Sequence, residues 1–167
     1  MCDPMAKRIV MSYRRKREGR TDYKRRLVLL KSTLPRLVVR ASNKSIQGQL
    51  VSYEPNGDKV HATARATELK KLGWEHAIGN TSAAYLTGLL LATKLKKHNI
   101  KSDIIVDLGL TKHHPGGRAY GLVKGMVDGG FVVRVSDEAL PSQERLNGVH
   151  MNEKVAKSIV ALKAKLK

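Results

Sequence analysis

The chain has 167 residues, 41% of them hydrophobic, which is enough for an aliphatic core and suits one globular domain with tails. Lys and Arg number 32 against 14 Asp and Glu, so the formal net charge is +18 and the expected partner is a polyanion, usually a nucleic acid. The single cysteine, Cys2, excludes a disulfide framework and a Cys-based zinc site. An anionic membrane surface is the other candidate polyanion. No apolar run reaches the roughly 18 residues that a membrane span needs, and we expect no membrane partner.

The positive charge is concentrated in the first quarter of the chain. Residues 1–40 hold 13 basic and 3 acidic residues, a net charge of +10 out of +18. Eight of the thirteen residues from Arg14 to Arg26 are Lys or Arg. The pattern predicts a basic RNA-binding arm over 1–26, a globular α/β domain over 27–150 and a basic C-terminal helix over 151–167.

The first predicted elements are a short helix and three strands. Thr21 or Asp22 can cap a helix that runs through Leu30. Residues 36–64 then predict a three-stranded antiparallel meander, with strands at 36–40, 46–53 and 59–64 separated by turns at 42–44 and 55–58. Asn56-Gly57 supplies the positive φ angles of a tight hairpin, and Gly48 predicts a β-bulge inside the second strand.

Two helices are predicted next. Residues 67–72 form a short helix that Gly73 ends. Asn80 or Thr81 caps a longer helix through Leu95, whose apolar residues go nearly all the way round, so we expect it to be deeply buried.

The last third predicts two further strands and two helices. Ile104 to Val106 is a short apolar run, typical of a strand covered on both faces, and Phe131 to Val135 is a second strand. In a helix over 119–127, Gly121 and Gly125 share one side, where bare backbone allows a neighbour to approach closely. A basic amphipathic helix over 152–166 turns Val155, Ile159 and Leu162 inward.

The predicted elements together define the fold class as α/β. It is a mixed sheet, made of the three-stranded meander plus further strands, packed by helices.

One pair of carboxylates allows a catalytic alternative. Asp103 and Asp107 flank the strand 104–106 at a spacing that puts them on one face, as in metal-dependent nucleases. A simpler interpretation is that Asp103 begins the strand and that Asp107 caps a turn or pairs with a Lys. Because no further acidic residue is placed to complete a metal site, we expect no enzyme, no cofactor and no small-molecule substrate.

A glycine-rich loop is a second candidate site. Lys112, His113 and Arg118 surround the flexible Gly116 and Gly117 and can contact a phosphate, at which the dipole of the following helix is aimed, although the P-loop order of residues is lacking. His113 and His114 lack a nearby Cys or acidic partner for a metal, so they belong to a loop or lie against a phosphate.

The strongest candidate site is the arm itself. Its cations can neutralise phosphates, and Tyr13 and Tyr23 interleave them, so that arginine planes and tyrosine rings can stack on splayed bases. The exposed charge run alone is also compatible with a solvated segment or a nuclear localisation signal. Here it adjoins a basic strand with Arg36 and Arg40 and a polar turn, which favours one continuous RNA-binding surface.

Seven sequence blocks, in this order and spacing, resemble a known family. They are RRKREGRTDY, PRLVVRASNKSIQGQL, EPNGDKV, LKKLGW, GNTSAAYLTGLLLATKL, DLGL and PGGRAYGLVKGMVDGG. Over residues 8–150 the chain resembles the archaeal and eukaryotic branch of the large-subunit ribosomal protein L-eighteen family, the 5S rRNA-binding protein called L-five in eukaryotes.

The resemblance implies a cytoplasmic, ribosome-bound protein. It would bind 5S rRNA, anchor it in the central protuberance, and contact 23S-type rRNA and neighbouring ribosomal proteins. Matching the blocks residue by residue, together with the basic run, gives these expected RNA contacts: Arg14, Arg15, Lys16, Arg17, Arg20, Tyr23, Lys24, Arg25, Arg26, Arg36, Arg40, Ser42, Asn43, Lys44, Gly116, Gly117 and Arg118. An alternative is a general basic RNA chaperone, which would not prefer 5S rRNA over tRNA.

Overall fold

The computed structural model describes residues 10–96, 103–148, 150–151 and 153–166. Cys2 and the rest of residues 1–9 of the predicted arm lie outside the described residues, as does Asn152, the predicted start of the last helix.

A five-stranded mixed sheet forms the centre of the fold, with strand order β3-β2-β1-β4-β5. Strands β1 and β2, and β2 and β3, pair antiparallel, which confirms the predicted meander. Strand β4 adds to the other side of β1 in parallel, and β5 pairs with β4 in parallel. The strands are β1 Arg36–Ala41, β2 Ile46–Ser52, β3 Lys59–Arg65, β4 Ile104–Asp107 and β5 Val133–Arg134.

The bulge predicted at Gly48 is wrong. Gly48 pairs regularly with both neighbouring strands, and the register shift between β2 and β3 lies at Leu50 and Val51. A Cβ atom on Gly48 would lie 3.0 Å from a methyl group of Leu122. The glycine therefore makes room for a helix side chain on the sheet and does not bend the strand.

Within the described ranges, six α-helices accompany the sheet. They are α1 Arg14–Arg17, α2 Tyr23–Lys31, α3 Thr81–Lys96, α4 Arg118–Asp128, α5 Gln143–Leu146 and α6 Glu153–Leu166. The Asp22 carboxylate accepts a hydrogen bond from the Arg25 amide at 3.1 Å and caps α2. The Asn80 side chain does the same for α3, accepting from the Ala83 amide at 2.7 Å. The caps are therefore Asp22 and Asn80, and not Thr21 and Thr81, which the sequence had left as alternatives.

Helices α3 and α4 pack on one face of the sheet and on each other at very short range. Twelve of the sixteen residues of α3 are buried, as predicted. A Cβ atom on Gly125 would lie 2.2 Å from the Tyr85 carbonyl oxygen, and one on Gly88 would lie 2.2 Å from that of Leu122. The close approach predicted for Gly125 is thus confirmed, and its partner is α3.

The C-terminal helix completes the core. Val155, Ile159 and Leu162 are buried in the same apolar cluster as α3, as the helical spacing predicted. Tyr85 of α3 donates a hydrogen bond to Asp128 at 2.8 Å. Burial is the main reason that the pKa of the Tyr85 phenol is raised, and the bond to Asp128 raises it further.

Several short elements differ from the sequence predictions. Ala66–Leu72 is a 3-10 helix, ended by Gly73 at a φ of 99°. Strand β5 has two residues where five were predicted, and β4 is only partly covered, since Ile105 and Val106 are half-buried. A 3-10 turn at Asp137–Ala139 and helix α5 had no periodic signal, because each spans about one turn.

Candidate nucleic-acid interface

The face of the sheet opposite α3 and α4 carries the basic strand residues. Leu37 and Val39 of β1 are buried in the core with the helices. Because side chains alternate along a strand, Arg36 and Arg40 lie on the other face. Arg36 and Arg40 therefore lie on the face of β1 that α3 and α4 do not cover.

The arm reaches this part of the molecule through α1 and α2. Within the described range 10–96, neither helix has a buried residue. Arg25 of α2 donates to the Gly109 carbonyl at 3.2 Å, and Arg26 forms an ion pair with Asp58 at 2.8 Å. The rings of Tyr13 and Tyr23 lie 5.5 Å apart and tilted. Polar contacts, and not apolar burial, thus position the arm beside the sheet.

Arg36 is the central member of a buried ionic network. Its side chain is 3% exposed, and its guanidinium bonds to Asp58 at 2.8 Å and to Asp107 at 3.3 Å. Asp58 is shared with Arg26, while the Gly109 amide donates to Asp107 at 2.8 Å. The network joins α2, the β2–β3 hairpin and the loop after β4. Such burial leaves Arg36 no exposed surface for an RNA phosphate, unlike the other predicted contact residues.

Arg40 is the exposed neighbour of this network. Its side chain is 49% exposed, and its Nη1 donates to the Val39 carbonyl at 2.9 Å and to the Asp107 carbonyl at 3.1 Å. These bonds fix the side chain and leave its Nε and Nη2 groups without a partner in the described part of the chain. Arg40 is therefore held in place yet can still donate to a phosphate.

Arg118 brings two predicted sites together. Its Nη1 donates to the carbonyl oxygens of Gly79, Ser42 and Asn43, at 3.0, 3.1 and 3.4 Å. The turn after β1 and the start of α4 are consequently neighbours, although 75 residues separate Asn43 from Arg118.

The amides of the glycine pair are already used within the fold. The Gly116 amide donates to the Ala139 carbonyl at 2.9 Å, and the Gly117 amide donates to the His114 carbonyl at 3.0 Å. Gly116 has a φ of 67°, a conformation that favours glycine, and Gly117 is the N-cap residue of α4. The two glycines therefore shape the loop, and their amides are not available to a phosphate.

The remaining arm cations divide into paired and unpaired groups. Arg14 and Arg20 form ion pairs with Glu18 at 2.7 and 3.0 Å, and Arg15 donates to the Thr21 hydroxyl. Among the cations predicted to contact RNA, four exposed ones have no hydrogen bond or ion pair with the described residues: Lys16, Arg17 and Lys24 of the arm, and Lys44 of the turn after β1. These four are the ones most available to an external anion.

The carboxylates of the nuclease alternative are each paired with arginine. Asp103 bonds to Arg134 at 2.9 Å, and Asp107 belongs to the Arg36 network. Among the described residues, no group of three or more His, Cys, Asp or Glu side chains is placed to hold a metal ion. Both aspartates therefore have a structural explanation.

Some residues of this surface were not predicted from the sequence. Asp58 looked like an ordinary turn residue after Asn56-Gly57, and its role as a bridge depends on tertiary contacts. His113, a possible phosphate contact in the sequence, packs edge-on against Tyr120 with ring centroids 5.0 Å apart. Burial raises the pKa of the Tyr120 phenol, and the charge of Arg25 opposes that shift. For Asp58, the only hint in the sequence of a role in ion pairing was that it is an acidic residue in a strongly basic chain.

Comparison with known proteins gives a consistent result. The profile of the family described as "Ribosomal large subunit proteins 60S L5, and 50S L18" matches residues 7–104, more than half of the chain. The large ribosomal subunit protein uL18 of Methanoregula boonei is 43% identical over 166 residues, which cover 96% of this chain and 95% of the relative.

Two further relatives carry the same name. The uL18 protein of Methanospirillum hungatei is 42% identical, with 87% of this chain and 83% of the relative covered. That of Haloarcula marismortui is 41% identical, with 84% and 74% covered.

These matches confirm the resemblance noted in the sequence. They also confirm the predicted non-enzymatic role and the predicted location on the ribosome in the cytoplasm. In the described part of the chain, no helix is long and apolar enough to cross a bilayer. The chain belongs to the family of large-subunit ribosomal proteins that comprises 60S L5 and 50S L18, and is thus a structural constituent of the large ribosomal subunit with rRNA and ribosomal proteins as its partners.

Proposed function

We propose that the chain binds 5S rRNA and anchors it in the central protuberance of the large subunit. The observation that carries this proposal is the continuity of the basic surface. The arm helices lie against the loop after β4 through Arg25, and Arg118 ties the turn after β1 to the start of α4. Cations of the arm, the end of β1, the turn after β1 and the start of α4 therefore lie on neighbouring segments.

The binding mechanism is electrostatic. Cations of the arm and of β1 neutralise phosphates, while polar turn residues and the tyrosine rings fix the register on a folded RNA. The proposed contacts are Arg14, Arg15, Lys16, Arg17, Arg20, Tyr23, Lys24, Arg25, Arg26, Arg40, Ser42, Asn43, Lys44, Gly116, Gly117 and Arg118. Arg36 acts as a positioning residue in this scheme, since it is buried beneath the surface that it organises.

The three parts of the chain have different tasks in the proposal. Residues 1–26 form the arm that grips RNA, and residues 27–150 form the body that presents it. Residues 151–167 supply the basic C-terminal helix, whose exposed Lys154, Lys157 and Lys165 can meet another part of the subunit. Contacts with 23S-type rRNA and with ribosomal proteins of the protuberance belong to these outer surfaces.

The test replaces only cations that hold nothing else in place. The variant Lys16→Gln, Arg17→Gln, Lys24→Gln removes three exposed arm charges. The matched control, Lys154→Gln, Lys157→Gln, Lys165→Gln, removes three exposed charges from α6. Affinity of each full chain is measured for an archaeal 5S rRNA and for a tRNA across a salt series.

We expect the arm variant to bind 5S rRNA about a hundredfold more weakly near physiological salt, with a salt slope lower by about 2.7, because about 0.9 is lost per phosphate contact. The control should bind 5S rRNA like the unaltered chain. Equal affinity of the unaltered chain for 5S rRNA and tRNA, or equal losses in the two variants, would contradict the proposal and favour a non-specific RNA binder.

A further inference from the structure

A cleft of about 300 Å³ lies between the arm and the body. Its arm side is formed by the segment from α1 to α2, and its body side by the end of β1 and by the loop Leu108–Thr111 after β4. Among the described residues, five arginines line it: Arg15, Arg20, Arg25, Arg26 and Arg40.

Positive charge dominates this cleft. Its lining includes two carboxylates, and both are occupied: Asp22 caps α2, and Asp107 is bonded to Arg36 and to the Gly109 amide. An arginine has five N–H donors. Each of the five arginines uses at most two of them within the described residues, so most of the donors remain for a ligand.

The cleft also has an apolar side, which a phosphate alone would not need. Leu108 is buried in its floor, and Leu29 is half-buried in α2. Leu110 is 56% exposed at the same loop, next to the arginines. An exposed leucine beside five guanidinium groups suits a ligand that is anionic on one side and flat and apolar on the other.

We propose that the cleft receives one unpaired nucleotide of the RNA that the arm binds. The phosphate accepts hydrogen bonds from the arginines, and the base stacks between Leu110 and a guanidinium plane. The hydroxyls of Thr21 and Thr111, which also line the cleft, are suited to the ribose or to a base edge. This inference rests on the proposed function, because the nucleotide belongs to the RNA already held by the arm.

The shape of the site favours a nucleotide over the backbone of a duplex. A volume of about 300 Å³ is at the lower end of the range found for small-ligand pockets, which is about 300–1,000 Å³. A duplex presents its phosphates on a convex surface, so it would touch the rim arginines and leave the floor at Leu108 empty. A nucleotide turned out of its stack can contact the rim arginines with its phosphate and reach the floor at Leu108 with its base.

The experiment compares Leu110→Ala with Leu27→Ala in the full chain. The two leucines are nearly equally exposed, at 56% and 57%, but Leu27 does not line the cleft. Affinity for an archaeal 5S rRNA is measured across a salt series. The reactivity of each ribose 2′-hydroxyl of the bound RNA is mapped by acylation.

We expect Leu110→Ala to weaken binding about tenfold without changing the salt slope, because a stacking contact is lost and no cation is removed. One unpaired nucleotide should change its reactivity on binding the unaltered chain and Leu27→Ala, and should not do so with Leu110→Ala. Deleting that nucleotide from the RNA should make the affinities of the unaltered chain and Leu110→Ala equal.

Two outcomes overturn the inference: unchanged affinity of Leu110→Ala, or a footprint confined to paired nucleotides. In either case preferential binding to 5S rRNA would still stand on the arm cations. Equal affinity of the unaltered chain for 5S rRNA and tRNA would instead contradict the proposed function. A tenfold loss for Leu110→Ala on both RNAs would then keep the cleft as a nucleotide site without 5S preference.

Discussion

The helix pair α3–α4 and the arm helices α1–α2 are held in place by opposite kinds of interaction. Twelve residues of α3 are buried, and its backbone meets α4 through two glycines. The arm helices have no buried residue in the range 10–96 and are joined to the body by hydrogen bonds and ion pairs of arginine. Apolar packing thus fixes the body, while the arm keeps its cations at the surface, so stability and RNA affinity should be separable by mutation.

The largest effect on stability is expected at the contact between the two helices. In Gly125→Ala the new methyl group would lie 2.2 Å from the Tyr85 carbonyl oxygen, so the helices must separate. We expect the free energy of unfolding to fall by about 3 kcal/mol, measured by urea denaturation. Gly121→Ala is the graded control, because its methyl group would meet Thr81 at 3.0 Å, and it should cost less. A Gly125→Ala protein as stable as the unaltered chain would contradict the close packing.

The next effect is expected at the buried network under the arm. Arg36→Met leaves Asp58 and Asp107 without their buried partner. We expect a loss of about 2 kcal/mol in the free energy of unfolding, less than for a fully buried pair because Asp58 is 25% exposed. Arg40→Met removes a half-exposed arginine that lies 3.7 Å from the Asp107 carboxylate, and it should cost much less. Equal losses in the two variants would refute the central position of Arg36.

A smaller effect is expected where the arm meets the hairpin. Arg26→Gln removes the ion pair between α2 and Asp58, in which the arginine side chain is 40% exposed. The expected cost in global stability is about 0.5 kcal/mol, since exposed pairs contribute little. Amide hydrogen exchange in α2 should nevertheless become faster, while exchange in α3 stays the same. Unchanged exchange in α2 would show that Arg26 does not hold the helix.

The smallest effect on stability should come from the variant with the largest effect on RNA. The Lys16→Gln, Arg17→Gln, Lys24→Gln protein loses three cations that have no partner among the described residues. Its urea midpoint should match that of the unaltered chain, or rise slightly because like charges are removed. A marked loss of stability would mean that these cations contribute to the fold, and would undo the separation between arm and body.

Much of the fold could be predicted because its signals are local. The turn at 55–58, the caps at Asp22 and Asn80 and the apolar helix through Leu95 each depend on residues a few positions apart. The turn differs from the predicted tight Asn-Gly hairpin, because only Gly57 of these two residues has a positive φ and the Gly57 amide donates to the Glu54 carbonyl. The prediction at Gly48 failed because a glycine in a strand has two explanations. Only the position of Leu122 shows that it serves close packing and not a bulge.

The candidate site was predicted in its composition but not in its internal arrangement. The run Arg14 to Arg26 and the family blocks identified the basic segments. The sequence could not distinguish buried Arg36 from half-exposed Arg40, because both are arginines on the same face of one strand. Their difference arises from Asp58, which is 22 residues from Arg36, and from Asp107, which is 71 residues away.

The sequence by itself determined a strongly basic α/β protein with a cationic arm, because charge density and hydrophobic periodicity are properties of neighbouring residues. Tertiary structure decided the parallel placement of β4 beside β1, the pairing of the arginines with distant carboxylates, and the cleft between arm and body. Each of these depends on which segments meet in space, and that is set by the packing of the whole chain.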